Sequence, residues 1–257
     1  ERYKKYLEDL SSGKVKMNAN TLYPYEVIRR LEYDDRFDEY KTLDAIWKSF
    51  DRSNINSKTI IVRDGSGSMY DDYAVSANSV ATSLAILFAE QLTGSFKDTF
   101  ITFSSRPKLI KIKGDMIHEK YKYVSSFCDC SNTNIQKVYE LILNVYKDKS
   151  FSANDALDRI VIISDMEFDC MVNAKMSTFE FFEKEFKKLG YKMPEVVFWN
   201  VRARSIHFPV MNKLGVKLVS GASAKIIEMV TNNLSVDAYA FMIECLEKYS
   251  FVDKIEI

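Results

Sequence analysis

Cysteine, glycine, proline and histidine are all scarce in this 257-residue chain, and its charges cancel. Four cysteines (Cys128, Cys130, Cys170, Cys245) are too few for a disulfide framework at this length, so a reduced, cytoplasmic setting is expected. Cys128 and Cys130 form a C-x-C rather than a common zinc spacing, with His118 and His207 the two histidines available; ordinary thiols are the expectation. Eight glycines and four prolines predict long regular elements and exclude a loop-dominated or collagen-like chain. With 36 basic and 36 acidic residues, a dedicated polyanion binder is disfavoured, because neutralising phosphates needs a basic excess. The basic stretches Arg106–Lys113, Lys184–Lys192 and Arg202 with Arg204 read as solvated faces. No apolar run approaches the roughly 18 residues of a membrane span. The longest, Val80–Phe88, is broken by Thr82 and Ser83. No basic-then-apolar leader opens the chain, and a start at Glu1 rather than Met reads as part of a longer protein with a region upstream.

What is abundant is core material. Hydrophobic residues make up 47% and aromatic residues 13%, which excludes wholesale disorder and suits one or two domains. The first fifty-odd residues show no strand pattern; Glu26–Tyr33 and Leu43–Phe50 read as helices entered through Tyr23-Pro24. From Lys58 the pattern changes. Thr59-Ile60-Ile61-Val62 is a β-branched run of the kind buried on both faces of a parallel sheet. Tyr73–Leu92 follows with apolar and small residues at helical spacing, stopped at Gly94. Thr99–Phe103 and Lys108–Ile112 are two strands whose short gap permits only an antiparallel hairpin. Asp115–Phe127 and Ile135–Tyr146 read as helices, Arg159–Ser164 as a second apolar strand and Ser177–Leu189 as a helix. Val196–Trp199 and Val216–Val219 read as strands, then Ala222–Leu234 and Val236–Tyr249 as helices.

Strands alternating with helices predict an α/β fold with a doubly wound, mostly parallel sheet and one antiparallel edge strand. The expected organisation is a helical appendage over residues 1–57, belonging to or following an upstream helical domain, then the α/β domain over 58–234. A C-terminal helix, 235–257, packs on that domain. Ligands bind such sheets outside the carboxyl ends of the central strands, which points to Asp64 and Asp165.

Both strands stop at an aspartate, and the first continues as Asp64-Gly65-Ser66-Gly67-Ser68. The glycines are expected to let the backbone curl so that Asp64, Ser66 and Ser68 converge. Carboxylate and hydroxyl oxygens are hard ligands, suited to Mg²⁺, Mn²⁺ or, less well, Ca²⁺. Thr133, in Ser131-Asn132-Thr133 before a helix, is a further donor if its loop overlies the same crevice. The bland alternative is that Asp64 and Asp165 cap following helices and the serines form turns.

This ordered set, Asp-x-Ser-x-Ser, a loop threonine and a strand-ending aspartate, resembles the metal-ion-dependent adhesion site of the von Willebrand factor A (vWA) domain. Asp64-Gly65-Ser66-Gly67-Ser68-Met69, Ser164-Asp165-Met166-Glu167-Phe168-Asp169 and Ala240-Phe241-Met242 are further similar to an intracellular, Ro-like branch in which a helical domain precedes the A domain. The resemblance covers about the last two-thirds of the chain. It implies a metal site of Asp64, Ser66, Ser68, Thr133 and Asp165 holding Mg²⁺ or Mn²⁺. It also implies a protein partner whose acidic side chain completes the coordination, with no catalytic residue. The Ro-like branch implies an alternative, membership of an RNA-binding particle in which the upstream domain holds the RNA. A metal-dependent hydrolase or phosphoryl-transfer enzyme would need a general base, for which Asp71, Asp72, Glu167 and Asp169 are near in sequence. No G-x-S-x-G elbow or Walker lysine is present. Arg63 departs from the many relatives with an apolar residue before the aspartate, and a charge on a buried strand needs a partner.

Overall fold

Six strands make one sheet: β1 (Thr59–Asp64), β2 (Thr99–Phe103), β3 (Leu109–Lys111), β4 (Arg159–Ser164), β5 (Glu195–Asn200) and β6 (Val216–Ser220). The computed structural model describes residues 22–33, 37–52, 55–70, 75–128, 134–165, 176–202 and 216–221, with a few isolated positions outside them. The strand order is β3-β2-β1-β4-β5-β6. All pairings are parallel except β2 with β3, where Phe100 faces Ile110 across the antiparallel edge hairpin. The α/β, mostly parallel architecture with a single antiparallel edge strand is therefore the one the sequence pattern calls for.

Six helices among the described residues cover the sheet: α1 (Pro24–Tyr33), α2 (Phe37–Ser49), α3 (Ala77–Ala89), α4 (Ile117–Ser125), α5 (Ile135–Tyr146) and α6 (Met176–Lys188). Alternation along each strand splits the core in two. Ile61, Val161, Ile163, Val197 and Trp199 face α1–α4, whereas Ile60, Val62, Ile160, Ile162, Val196 and Phe198 face α5 and α6. Every residue of β1, β2 and β4 is buried, as a central parallel sheet covered on both faces requires.

Every residue of α3 is buried as well. One side of α3 lies on β1, and α1 and α4 close the other, so even its polar residues Asn78, Ser79, Thr82 and Ser83 are enclosed. The helix begins at Ala77 rather than Tyr73, because the Ser76 hydroxyl accepts the Ser79 amide at 3.3 Å and sets the N-cap. The boundary drawn at residue 57 falls between α2 and β1, and the two helices before it share a core with α3 and the sheet. Glu90, just past α3, ties them in by accepting from Trp47 Nε1 (3.1 Å), Arg52 (3.0 Å) and Lys120 (2.8 Å). Among the described residues, no helix is long and apolar enough to cross a membrane. The expected helix Ala222–Leu234 and the C-terminal helix lie outside the continuous described segments.

Candidate functional site

The strand order reverses between β1 and β4, and both run in the same direction, so their carboxyl ends open one crevice. Arg63 pairs with Ile163 in register, which sets Asp64 opposite Ser164 with Asp165 one step beyond. Ser164 Oγ donates to Asp64 Oδ2 at 2.6 Å, a bond that ties the two strand ends together. The other carboxylate oxygen, Oδ1, accepts the Ser66 amide at 2.9 Å and fixes the start of the following loop. That loop makes a single 3₁₀ turn, Gly67–Met69, and brings Ser66 Oγ and Ser68 Oγ to 3.1 Å of each other.

Four of the five residues singled out in the sequence thus have described positions. Asp64 and Asp165 are each 2% exposed, and Ser66 and Ser68 sit half-buried at the rim. Thr133 lies outside the described residues, as do Asp71, Asp72, Glu167 and Asp169. The chain re-enters description at Asn134, whose side chain accepts the Gln136 and Lys137 amides and caps α5.

Burial is the first influence on Asp64 and raises its carboxyl pKa; the neighbouring Asp165 adds to the rise, while hydrogen bonds from Ser164 and Ser66 oppose it. A buried carboxylate next to a second acid has its ionised form disfavoured, which a proton or a cation at Asp64 relieves. The donor set of carboxylates and hydroxyls fits a hard divalent cation. Among the described residues no three His, Cys, Asp or Glu side chains converge; the site combines two acids with alcohols instead. The capping alternative accounts for part of this. Asp64 does organise its own loop, but Ser76 caps α3, so no long helix depends on the aspartate.

The glycines play a smaller part than the sequence suggests. Neither Gly65 nor Gly67 is among the positive-φ residues, and a Cβ on Gly67 would meet no atom within 4 Å. The loop curls through ordinary backbone angles, held by the Asp64 side chain. Ser164 is the residue that motif spacing misses, because its role depends on register between strands a hundred residues apart. Arg63 finds its partners on α3 and the neighbouring loops. Glu32, far away on α1, joins the same polar cluster by accepting from Ser79 Oγ at 2.9 Å and Asn78 Nδ2 at 3.4 Å.

Fold and site together define an α/β protein of doubly wound type with a polar, acid-containing crevice at the switch point of its sheet. Residues 58–250 match the family described as a domain of unknown function, DUF7788, and the chain belongs to that family. It is 31% identical over 252 residues to the uncharacterized protein L728 of Acanthamoeba polyphaga mimivirus, covering 96% of this chain and 43% of the relative. The chain therefore spans less than half the length of that viral protein. Among solved structures, the Ro (RSR) protein of Deinococcus radiodurans shares the fold, with a TM-score of 0.54 and 13% identity over 76% of this chain and 37% of that one.

Proposed function

We propose that this chain is a divalent-metal-dependent protein-interaction module of the vWA type. Asp64, Ser66, Ser68, Thr133 and Asp165 would hold Mg²⁺ or Mn²⁺, and an acidic side chain of a partner protein would complete the coordination. The observation that carries this reading is the crevice itself. Two buried acids end adjacent parallel strands, with the two serine hydroxyls of the intervening loop 3.1 Å apart beside them. A cation there offsets the repulsion between the acids, and the small number of charged donors leaves it attractive to a further carboxylate. The fold likeness to Ro agrees with the Ro-like motifs and supports a second reading, a part in an RNA-containing particle whose RNA is held by a different region.

Thermal unfolding with and without metal tests the first reading. At a hundredfold excess over Kd a ligand stabilises by about 2.7 kcal/mol, which moves the melting point of a domain this size by roughly 5–10 °C. Mg²⁺ should raise the melting point relative to EDTA, and Asp64→Ala and Asp165→Ala should abolish the difference. Identical wild-type curves in saturating Mg²⁺ and EDTA would count against the metal reading. RNA binding by this chain that weakens steeply with salt would favour the second.

A further inference from the structure

One residue before Asp64, on the α3 side of β1, Arg63 is 1% exposed. An apolar side chain would continue the column begun by Ile61, without the large cost of burying a charge. The stability of the strand therefore gives no reason for arginine. Its hydrogen bonds do. Nε donates to Thr82 Oγ1 at 3.0 Å, and one terminal nitrogen donates to the Phe127 carbonyl at 3.0 Å. The other donates to Asn78 Oδ1 at 2.5 Å and the Tyr70 hydroxyl at 3.3 Å. Asn78 and Thr82 belong to the wholly buried α3. Tyr70 closes the loop that carries Ser66 and Ser68, and Phe127 lies at the exit of α4, where the chain sets out towards Thr133. The Tyr70 hydroxyl also lies 2.8 Å from Cys128 Sγ, a second link between the same two loops.

We propose that Arg63 is a positioning residue that fastens the serine loop beside Asp64 and the exit of α4 to α3 and to each other. The serine loop and residues Phe127 and Cys128 are then held in place before any ion or partner arrives. A planar guanidinium serves because its donors point along fixed, divergent directions; a lysine ammonium keeps the charge but cannot span three separate elements. The consequence for metal binding rests on the function proposed above, whereas the fastening of the loops does not.

Amide hydrogen exchange on the whole chain in EDTA tests the fastening directly, comparing wild type with Arg63→Met, Arg63→Lys and Tyr70→Phe. Both Arg63 variants should speed exchange about tenfold or more at residues 66–70 and 127–128, the scale of losing a charge-assisted hydrogen bond, while β2 and β5 keep wild-type rates. Tyr70→Phe should give a smaller change in the same loops. Unchanged loop rates in Arg63→Met, an equal acceleration throughout the sheet, or full rescue by lysine would each overturn the proposal. Mn²⁺ titration supplies the second readout: Arg63→Lys should bind about 10–100-fold more weakly, as when outer-shell support is lost. Failure of the metal reading would appear separately, as absent Mn²⁺ binding by wild type itself, and the loop exchange would still decide the role of Arg63.

Discussion

On the α5–α6 side the sheet is covered by rings. Tyr139 stacks on Phe182 with centroids 5.2 Å apart and meets Phe186 edge-on at 6.1 Å, while Tyr146 stacks on Phe151 at 4.4 Å. On the α3 side, near the carboxyl end of β1, the corresponding layer holds Arg63, Asn78, Ser79, Thr82 and Glu32 joined by hydrogen bonds. Both layers exclude water, yet they do so by different chemistry. Aromatic packing gives area and dispersion without directional demands beyond ring geometry. A buried polar network gives little net stability but fixes where its members stand. The contrast suggests a division of labour, with one face supplying stability and the other supplying position to the crevice between the strand ends.

Breaking the aromatic face should have the largest effect. Phe186 is fully buried between Tyr139 and Tyr146, so Phe186→Ala should cost about 3–5 kcal/mol in urea unfolding. A loss below about 1 kcal/mol would show that this face does not carry the stability assigned to it. A sharper test on the same face is Tyr139. Its hydroxyl is buried and has no hydrogen-bond partner among the described residues, and burial raises its pKa. Tyr139→Phe removes that unsatisfied group while keeping the ring, and should stabilise the protein by about 1 kcal/mol. Destabilisation would mean the hydroxyl is held after all.

The smallest expected effect belongs to the polar face and is read through pH. Burial raises the Glu32 carboxyl pKa above the usual glutamate range, against hydrogen bonds from Ser79 and Asn78 and the charges of Arg29 and Arg63. A raised carboxyl pKa contributes stability that is complete below the unfolded-state value and is lost as pH rises through the folded-state value. Relative to Glu32→Gln, the wild-type protein should therefore become less stable between mildly acidic and neutral pH. Parallel stability curves for the two proteins would remove Glu32 from the account.

Much of this was legible in the residues. The runs Thr59–Val62 and Ile160–Ile163 announce central strands because few other contexts bury a β-branched stretch on both faces. Ser104–Pro107 leaves room for a hairpin and nothing longer, and the helix read over Ile135–Tyr146 has those bounds in the structure. The aspartates and serines of the crevice were legible because their spacing survives without knowledge of the fold. Ser164 was not, since its bond to Asp64 depends on strand register. The partners of Arg63 were hidden for a similar reason: Thr82 and Asn78 lie on α3 and the Phe127 carbonyl arrives from the exit of α4, sixty-four residues away. The full burial of α3 was not foreseen: its polar residues Asn78, Ser79 and Thr82 look like a solvated side until Arg63 and Glu32 are found bonded to them.

The central claim is that the acids ending β1 and β4 serve one cation together. Equilibrium Mn²⁺ titration, counting bound ions per chain for wild type, Asp64→Asn and Asp165→Asn, addresses it most directly. One ion in wild type and none in either variant at the same concentration is the predicted result. An undiminished ion count in both variants, or no bound ion in wild type at millimolar Mn²⁺, would contradict it.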